Sequence, residues 1–170
     1  MLIMTLPEFE NLSLDERRIL LTQCCGATSW VNKMLAIFPV TGLDEVFKQA
    51  ELKWNECKQQ DWLEAFDHHP KIGDINSLKQ KFANTAQWAT NEQSGVNAAN
   101  SKVLQDLAKG NEDYEHKFKF IFIVCATGKT AAEMLSILQA RLPNDPEDEI
   151  KIAAGEQSKI TKIRLQKLFA

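Results

Sequence analysis

Apolar residues recur every three or four positions along most of this chain, the spacing of one buried helix face. Ser13 with Glu16 makes a capping-box pair, so a helix is predicted from Leu14 to Cys25, with Gly26 ending it. Trp30, Met34 and Leu35 form a second stripe, stopped by Pro39. Thr41 with Asp44 and Glu45 opens a third helix, whose apolar points include Val46, Phe47, Ala50 and Trp54. Asp61 to Phe66 is a short amphipathic piece. Beyond Asn76, Leu78, Phe82, Thr85 and Trp88 or Ala89 repeat at helical spacing, and a further helix is expected over roughly Asn97 to Leu107, with Gly110 as its terminator. Thr130 with Glu133 caps a helix through Leu142, which Pro143 breaks. Asp145-Pro146 starts the last helix, with Ile150, Ala153, Ala154, Gln157, Ile160, Arg164, Leu165 and Leu168 along one broad face.

One stretch departs from this period. Lys117 to Val124 alternates polar and apolar residues and is rich in aromatic and β-branched side chains, which favours a strand. A single strand has no partner elsewhere in the sequence, so an extended or end-of-helix segment through the core is expected instead. The pattern predicts an all-α fold: a single compact multi-helix domain over 1–170, with one extended segment near 117–125.

Composition narrows the function classes. The chain has 170 residues, 44% hydrophobic and 25% charged, as in ordinary globular domains. Its net charge of −3 gives no electrostatic reason to expect nucleic acid. No apolar run approaches the roughly 20 residues of a membrane-spanning helix. The four cysteines, Cys24, Cys25, Cys57 and Cys125, form no C-x-x-C pair and read as reduced thiols, mostly small buried hydrophobes. The start of the chain lacks the basic-then-apolar layout of a secretory signal.

Candidate chemistry concentrates at chain breaks. In His68-His69-Pro70-Lys71-Ile72-Gly73-Asp74, proline stops a helix and biases His69 toward an extended conformation, while Gly73 permits a turn. A histidine fixed there is a candidate acid or base, although a loop histidine facing water has the same local sequence. Glu92-Gln93, just before Gly95, places a carboxylate and an amide at a second break. They serve equally as capping groups or as hydrogen-bonding partners of a urea-like substrate. Thr127-Gly128-Lys129-Thr130 resembles the end of a phosphate loop, but Ile123 stands where that motif needs glycine. What survives is a helix start where backbone N–H groups near Ala126 to Gly128 can face an anion or carbonyl. Asp67-His68-His69 matches the acidic-His-His triplet of metal-dependent phosphoesterases, without their additional aspartates on strands, and Asp67, His69, Asp74 and Glu92 offer a possible metal set. Arg164 lies on the inward repeat of the last helix, either snorkelling to water or reading a carboxylate. His116 reads as a solvated helix residue.

Together these segments resemble the family of 2-oxo-4-hydroxy-4-carboxy-5-ureidoimidazoline (OHCU) decarboxylases, which complete uric acid breakdown to (S)-allantoin. The resemblance rests on His69-Pro70-Lys71-Ile72-Gly73-Asp74, Glu92-Gln93-Ser94-Gly95, Tyr114-x-x-Lys117-Phe118-x-Phe120-x-Phe122-Ile123-Val124-Cys125-Ala126, Arg141-Leu142-x-Asn144 and Ile160-Thr161-Lys162-Ile163-Arg164-Leu165-x-Lys167-Leu168. Cys25-Gly26 with Trp30 and Met34 fits the family's N-terminal pattern. The matches run in order over nearly the whole chain.

The resemblance implies an all-helical homodimer that needs no metal or organic cofactor. It makes His69 the catalytic histidine and Glu92 its acidic partner. Pro70, Gln93 and the backbone of Phe122, Ile123, Val124, Cys125 and Ala126 would line the substrate site, with Arg164 nearby. Ala89 stands where many members carry serine, so Thr90 or Asn91 is the candidate replacement for that hydroxyl contact. The last residues, Leu168-Phe169-Ala170, are no Ser-Lys-Leu-type address, so a bacterial cytoplasm is the expected location. Two other readings stay open: a non-catalytic helical module binding a small ligand or protein, and a metal-dependent hydrolase using Asp67, His68 and His69.

Overall fold

Capping chemistry decides where most of the helices begin. The computed structural model describes residues 3–70, 76, 78 and 93–170, and for 93–100 it describes the backbone alone. The described residues form eight helices and no strand: α1 (Leu6–Asn11), α2 (Leu14–Cys24), α3 (Thr28–Leu35), α4 (Leu43–Asn55), α5 (Gln59–Asp67), α6 (Gln93–Phe118), α7 (Ala131–Arg141) and α8 (Pro146–Leu168). Thr5/Glu8, Ser13/Glu16 and Thr130/Glu133 are reciprocal capping boxes that satisfy the exposed N–H groups of α1, α2 and α7. Before α4, the Thr41 N–H and hydroxyl both donate to Glu45. Helix α3 has no local side-chain cap. Glu64 on α5 supplies it, accepting from the Thr28 N–H at 3.1 Å and its hydroxyl at 2.6 Å.

The all-α expectation holds, the extended segment near 117–125 included, with two local corrections. Helix α1 was not anticipated, although Thr5-x-x-Glu8 is the same capping signature as at Ser13. Gly110 does not terminate a helix: α6 runs through it from Gln93 to Phe118. A glycine inside a helix costs roughly 1 kcal/mol relative to alanine. Here it lies against α7: a Cβ at position 110 would stand 2.6 Å from Leu138 Cδ2, so that buried side chain would have to shift to admit it. The Lys117–Val124 stretch begins as helix. Lys119, at φ 65°, then turns the chain out of α6 into an extended run that pairs with no strand among the described residues. Its Phe118, Phe120 and Ile123 are buried, as expected of a core-crossing segment. The helix expected from Leu78 to Trp88 lies outside the described residues apart from Leu78, which is helical and buried.

The chain divides into two compact units. One comprises Met1–His69, Ile123–Cys125 and Ile152–Ala170; the other comprises Pro70–Phe122 and Ala126–Lys151. In the first, Phe9, Leu21, Trp30, Met34, Phe66, Leu165 and Leu168 are fully buried. Its two buried indoles are anchored to backbone, Trp30 Nε1 donating to the Ala50 carbonyl at 3.0 Å and Trp54 Nε1 to that of Ala154 at 2.9 Å. Cys24, Cys25 and Cys57 are buried free thiols, as the sequence suggested; desolvation pushes Cys24 and Cys25 up to about 12.

Gly26, between α2 and α3, is buried for a reason of its own. A Cβ there would lie 2.2 Å from His68 Cγ and 2.4 Å from His68 Cβ, too near that residue's backbone to be relieved by a side-chain rotation. The glycine therefore allows the end of α5 to close against the end of α2.

The second unit is organised by a buried charge. Glu149 is fully inaccessible, and Arg141 donates to its Oε1 through Nε at 2.6 Å. The Tyr114 hydroxyl donates to the same oxygen, and Asn144 Nδ2 donates to Oε2 at 2.7 Å. Burial, then the bond to Glu149, pushes the Tyr114 phenol well above its usual range and keeps it a donor. The Arg141 guanidinium stacks 4.8 Å from the Phe122 ring. Lys117 Nζ closes the same region by donating to the carbonyls of Leu142 and Asn144 at 2.7 and 2.8 Å.

Three outcomes are expected. Glu149→Ala leaves Arg141 buried without its carboxylate and should cost about 3–5 kcal/mol in urea unfolding. Gly26→Ala overpacks the α2/α5 junction and should cost about 1–3 kcal/mol by the same measurement. Bonds from Thr5, Ser13, Thr41 and Thr130 hold the carboxyls of Glu8, Glu16, Glu45 and Glu133 below their ordinary value of 4.5. Because the folded values are depressed, this stabilisation is complete above about pH 4.5 and is lost as pH falls through the folded values. The urea midpoint should therefore drop below that pH, less steeply in Glu16→Gln/Glu133→Gln. Equal slopes in both proteins would refute that origin.

Candidate functional site

Helix α5 delivers the two adjacent histidines to different surroundings. The chain leaves α5 through a tight turn in which His68 N–H bonds to the Ala65 carbonyl at 3.3 Å and His69 N–H to that of Phe66 at 3.1 Å. Pro70, exposed and without an N–H, follows immediately. His68 is exposed and its Nδ1 lies 2.9 Å from the carbonyl oxygen of Glu64 in its own helix. His69 is half-buried, and its Nε2 lies 2.6 Å from Oε1 of Gln157 on α8.

Gln157 is itself fully buried, and its Nε2 donates to Thr161 Oγ1 one turn on, at 3.2 Å. A continuous chain of polar contacts thus runs from His69 into the core of the first unit. Gln157 was read from the sequence only as one of the inward positions of the last helix. The signal was there: an amide on an apolar stripe must find a partner.

The other expected residues of this unit also lean on α8. The Cys125 N–H donates to Glu156 Oε2 at 2.7 Å, and Ile123 is buried. Arg164 is half-buried and donates through Nη1 to the carbonyls of Gln23 and Cys24, at 3.3 and 3.4 Å, where α2 ends. A cation there completes orphan carbonyls and opposes the negative end of the helix dipole. His69, Cys125 and Arg164 are therefore held by, or stand on, one helix at positions 156, 157 and 164.

In the second unit, Phe122 packs on Tyr114 at 5.1 Å between ring centroids, and Ala126 begins the turn that leads to α7. The phosphate-loop likeness at Thr127–Thr130 dissolves there. Lys129 N–H bonds back to the Ala126 carbonyl at 3.0 Å, Gly128 turns the chain at φ 76°, and the Thr130 N–H is taken by Glu133 at 2.7 Å. Ala89, Thr90, Asn91, Glu92 and the Gln93 side chain lie outside the described residues, as does Asp74. Among the described residues no three His, Cys, Asp or Glu side chains gather to hold a metal, Asp67, His68 and His69 included. His116 is exposed on α6, as read from the sequence.

The model of the OHCU decarboxylase family matches residues 10–166. The uric acid degradation bifunctional protein TTL of Arabidopsis thaliana is 41% identical over 148 residues, covering 86% of this chain and 45% of that protein. The chain thus spans less than half the length of this relative. A crystal structure of OHCU decarboxylase in the presence of (S)-allantoin is similar with a TM-score of 0.70 and 40% identity, covering 87% of this chain and 95% of that one. A crystal structure of (S)-allantoin synthase shares the fold, with a TM-score of 0.67 at 18% identity, covering 96% of this chain and 53% of that one. The family's model reaches into both compact units and spans the motifs from Cys25 to Leu165, and the chain belongs to the OHCU decarboxylase family.

Proposed function

We propose that this chain releases CO2 from OHCU and forms (S)-allantoin in urate breakdown, with His69 as general acid/base and Glu92 as its partner. The observation that carries the reading is the 40% identity, over 95% of its length, to an OHCU decarboxylase crystallised in the presence of (S)-allantoin. The anchoring of His69 at the end of α5 supports its role, since a proton-transfer group must be held in register with its substrate.

The substrate explains why such a site needs no cofactor. Its carboxylate sits on the ring carbon that also bears the hydroxyl, next to a C=N bond. When the carbon–carboxylate bond breaks, its electron pair flows toward that C=N, and CO2 departs. The ring nitrogen that receives the pair takes up one proton, another returns to the ureido-bearing carbon, and the hydroxyl proton is lost, giving the ring carbonyl of allantoin. Delivering the proton from one face sets the (S) configuration. His69 performs one of these transfers. Glu92 holds the imidazole or the ureido group in place.

Pro70, Gln93, Arg164 and the Phe122–Ala126 segment are read as lining the substrate, with Thr90 or Asn91 serving where Ala89 lacks a hydroxyl. Arg164 uses one nitrogen for its two carbonyl bonds, so its guanidinium keeps donors for a substrate carboxylate or carbonyl. The Cys125 N–H is bonded to Glu156, so its neighbours carry the backbone part of this reading. We further read the protein as a cytoplasmic homodimer whose residues 1–170 act as one domain. No helix among the described residues is long and apolar enough to cross a membrane.

Freshly generated urate-oxidation product should yield CO2 and optically active allantoin, with the rate unchanged by EDTA. His69→Asn should lower kcat by about 10²-fold or more while the helical circular dichroism is retained. Wild-type kcat in that variant would remove His69 from the chemistry. Glu92→Gln should lose kcat as well, and a loss confined to KM would make Glu92 a binding group.

A further inference from the structure

The contact between His69 and Gln157 has a direction, and the direction follows from what lies behind it. Thr161, Gln157 and His69 form a line of three side chains. The buried Gln157 amide donates through its NH2 group to Thr161 Oγ1 at 3.2 Å, which turns the amide carbonyl toward His69. A carbonyl oxygen can only accept, so the imidazole nitrogen 2.6 Å away carries a hydrogen. Removing either partner would leave part of the buried Gln157 amide unsatisfied, at a cost of about 1–3 kcal/mol.

We propose that Gln157 is a positioning residue that holds neutral His69 as the Nε2–H tautomer, making Nδ1 the nitrogen that takes up a proton. This rests on the reading of His69 as the acid/base and sharpens it. The ring is fixed in rotation by the same bond, because Gln157 is immobilised by burial and by Thr161. Gln157 reaches the reaction only through His69. The tautomer also sets how His69 works: when Nδ1 gains a proton, the resulting imidazolium still donates through Nε2 to the same carbonyl. Both protonation states therefore keep the bond, and the ring need not reorient during turnover.

Heteronuclear NMR of the imidazole nitrogens tests this in the substrate-free protein, with His69 assigned among the three histidines by comparison with His69→Asn. At high pH the wild type should show a protonated Nε2 and a lone-pair Nδ1 on His69. Gln157→Leu, which keeps the side-chain volume but removes the acceptor, should mix the two tautomers and lower kcat by about tenfold or more with little change in KM. Gln157→Glu retains an oxygen toward His69 and should restore the Nε2–H signature. A lone-pair Nε2 in the wild type would overturn the proposal, whether or not either variant folds. So would a Gln157→Leu protein whose tautomer is unchanged. The nitrogen spectrum is read without turnover, so a His69→Asn enzyme that keeps its kcat would sink the catalytic reading and leave the tautomer assignment to stand or fall by the spectrum.

Discussion

A polar group taken out of water must find a partner, and α8 carries more such groups inward than any other helix described. Glu149, Gln157 and Thr161 all lie on its buried face, where apolar residues at positions 150, 153, 154, 165 and 168 would otherwise make an ordinary hydrophobic stripe. Each is satisfied, and each partner lies on another part of the chain or one turn along. Glu149 draws in Tyr114, Arg141 and Asn144, while Gln157 draws in His69. Hydrophobic burial would hold this helix in several rotations about its axis. The polar partners select one, because a rotation that kept the apolar contacts would strand a carboxylate or an amide.

This divides the family's motif residues by what they do. Tyr114, Lys117, Arg141 and Asn144 read from the sequence as part of one signature beside the catalytic candidates. In the structure all four serve the second unit, around Glu149 or the turn after α7. Phe122 belongs with them through its contacts with Tyr114 and the Arg141 guanidinium. Gly26 is likewise a packing residue, excluded from growing a side chain by His68. A buried charge network tolerates few substitutions, since removing one partner costs more than the pair contributed. Such residues mark a family as firmly as its chemistry does.

Local interactions were the legible part. The Ser13/Glu16 and Thr130/Glu133 boxes span three residues, and both helices start where those pairs stand. Gly110 was misread because it lies against Leu138, twenty-eight positions away in the sequence and invisible to any local rule. The alternation at Lys117–Val124 reported burial correctly, and the lack of a partner strand pointed correctly to an extended run outside any sheet. An extended segment can bury alternate side chains and still satisfy its backbone with a side chain, as Cys125 does with Glu156, instead of with a neighbouring strand. The separation of His68 from His69 was legible only in outline. Proline showed where the helix must stop, but only the contact with Gln157, 88 residues on, distinguishes the two rings.

The nature of the side chains behind His69 makes that contact more than an anchor. Threonine and glutamine do not titrate, so among the three linked side chains the imidazole alone can change its charge. A carboxylate in the position of Gln157 would also accept from Nε2, but it would favour the imidazolium by direct attraction and hold the proton that a base must be able to release. An amide fixes the orientation with far less bias in charge. Placing a neutral acceptor behind His69 leaves the control of its protonation to whatever charged groups face its other side, and Glu92, in the reading proposed for it, would supply that control.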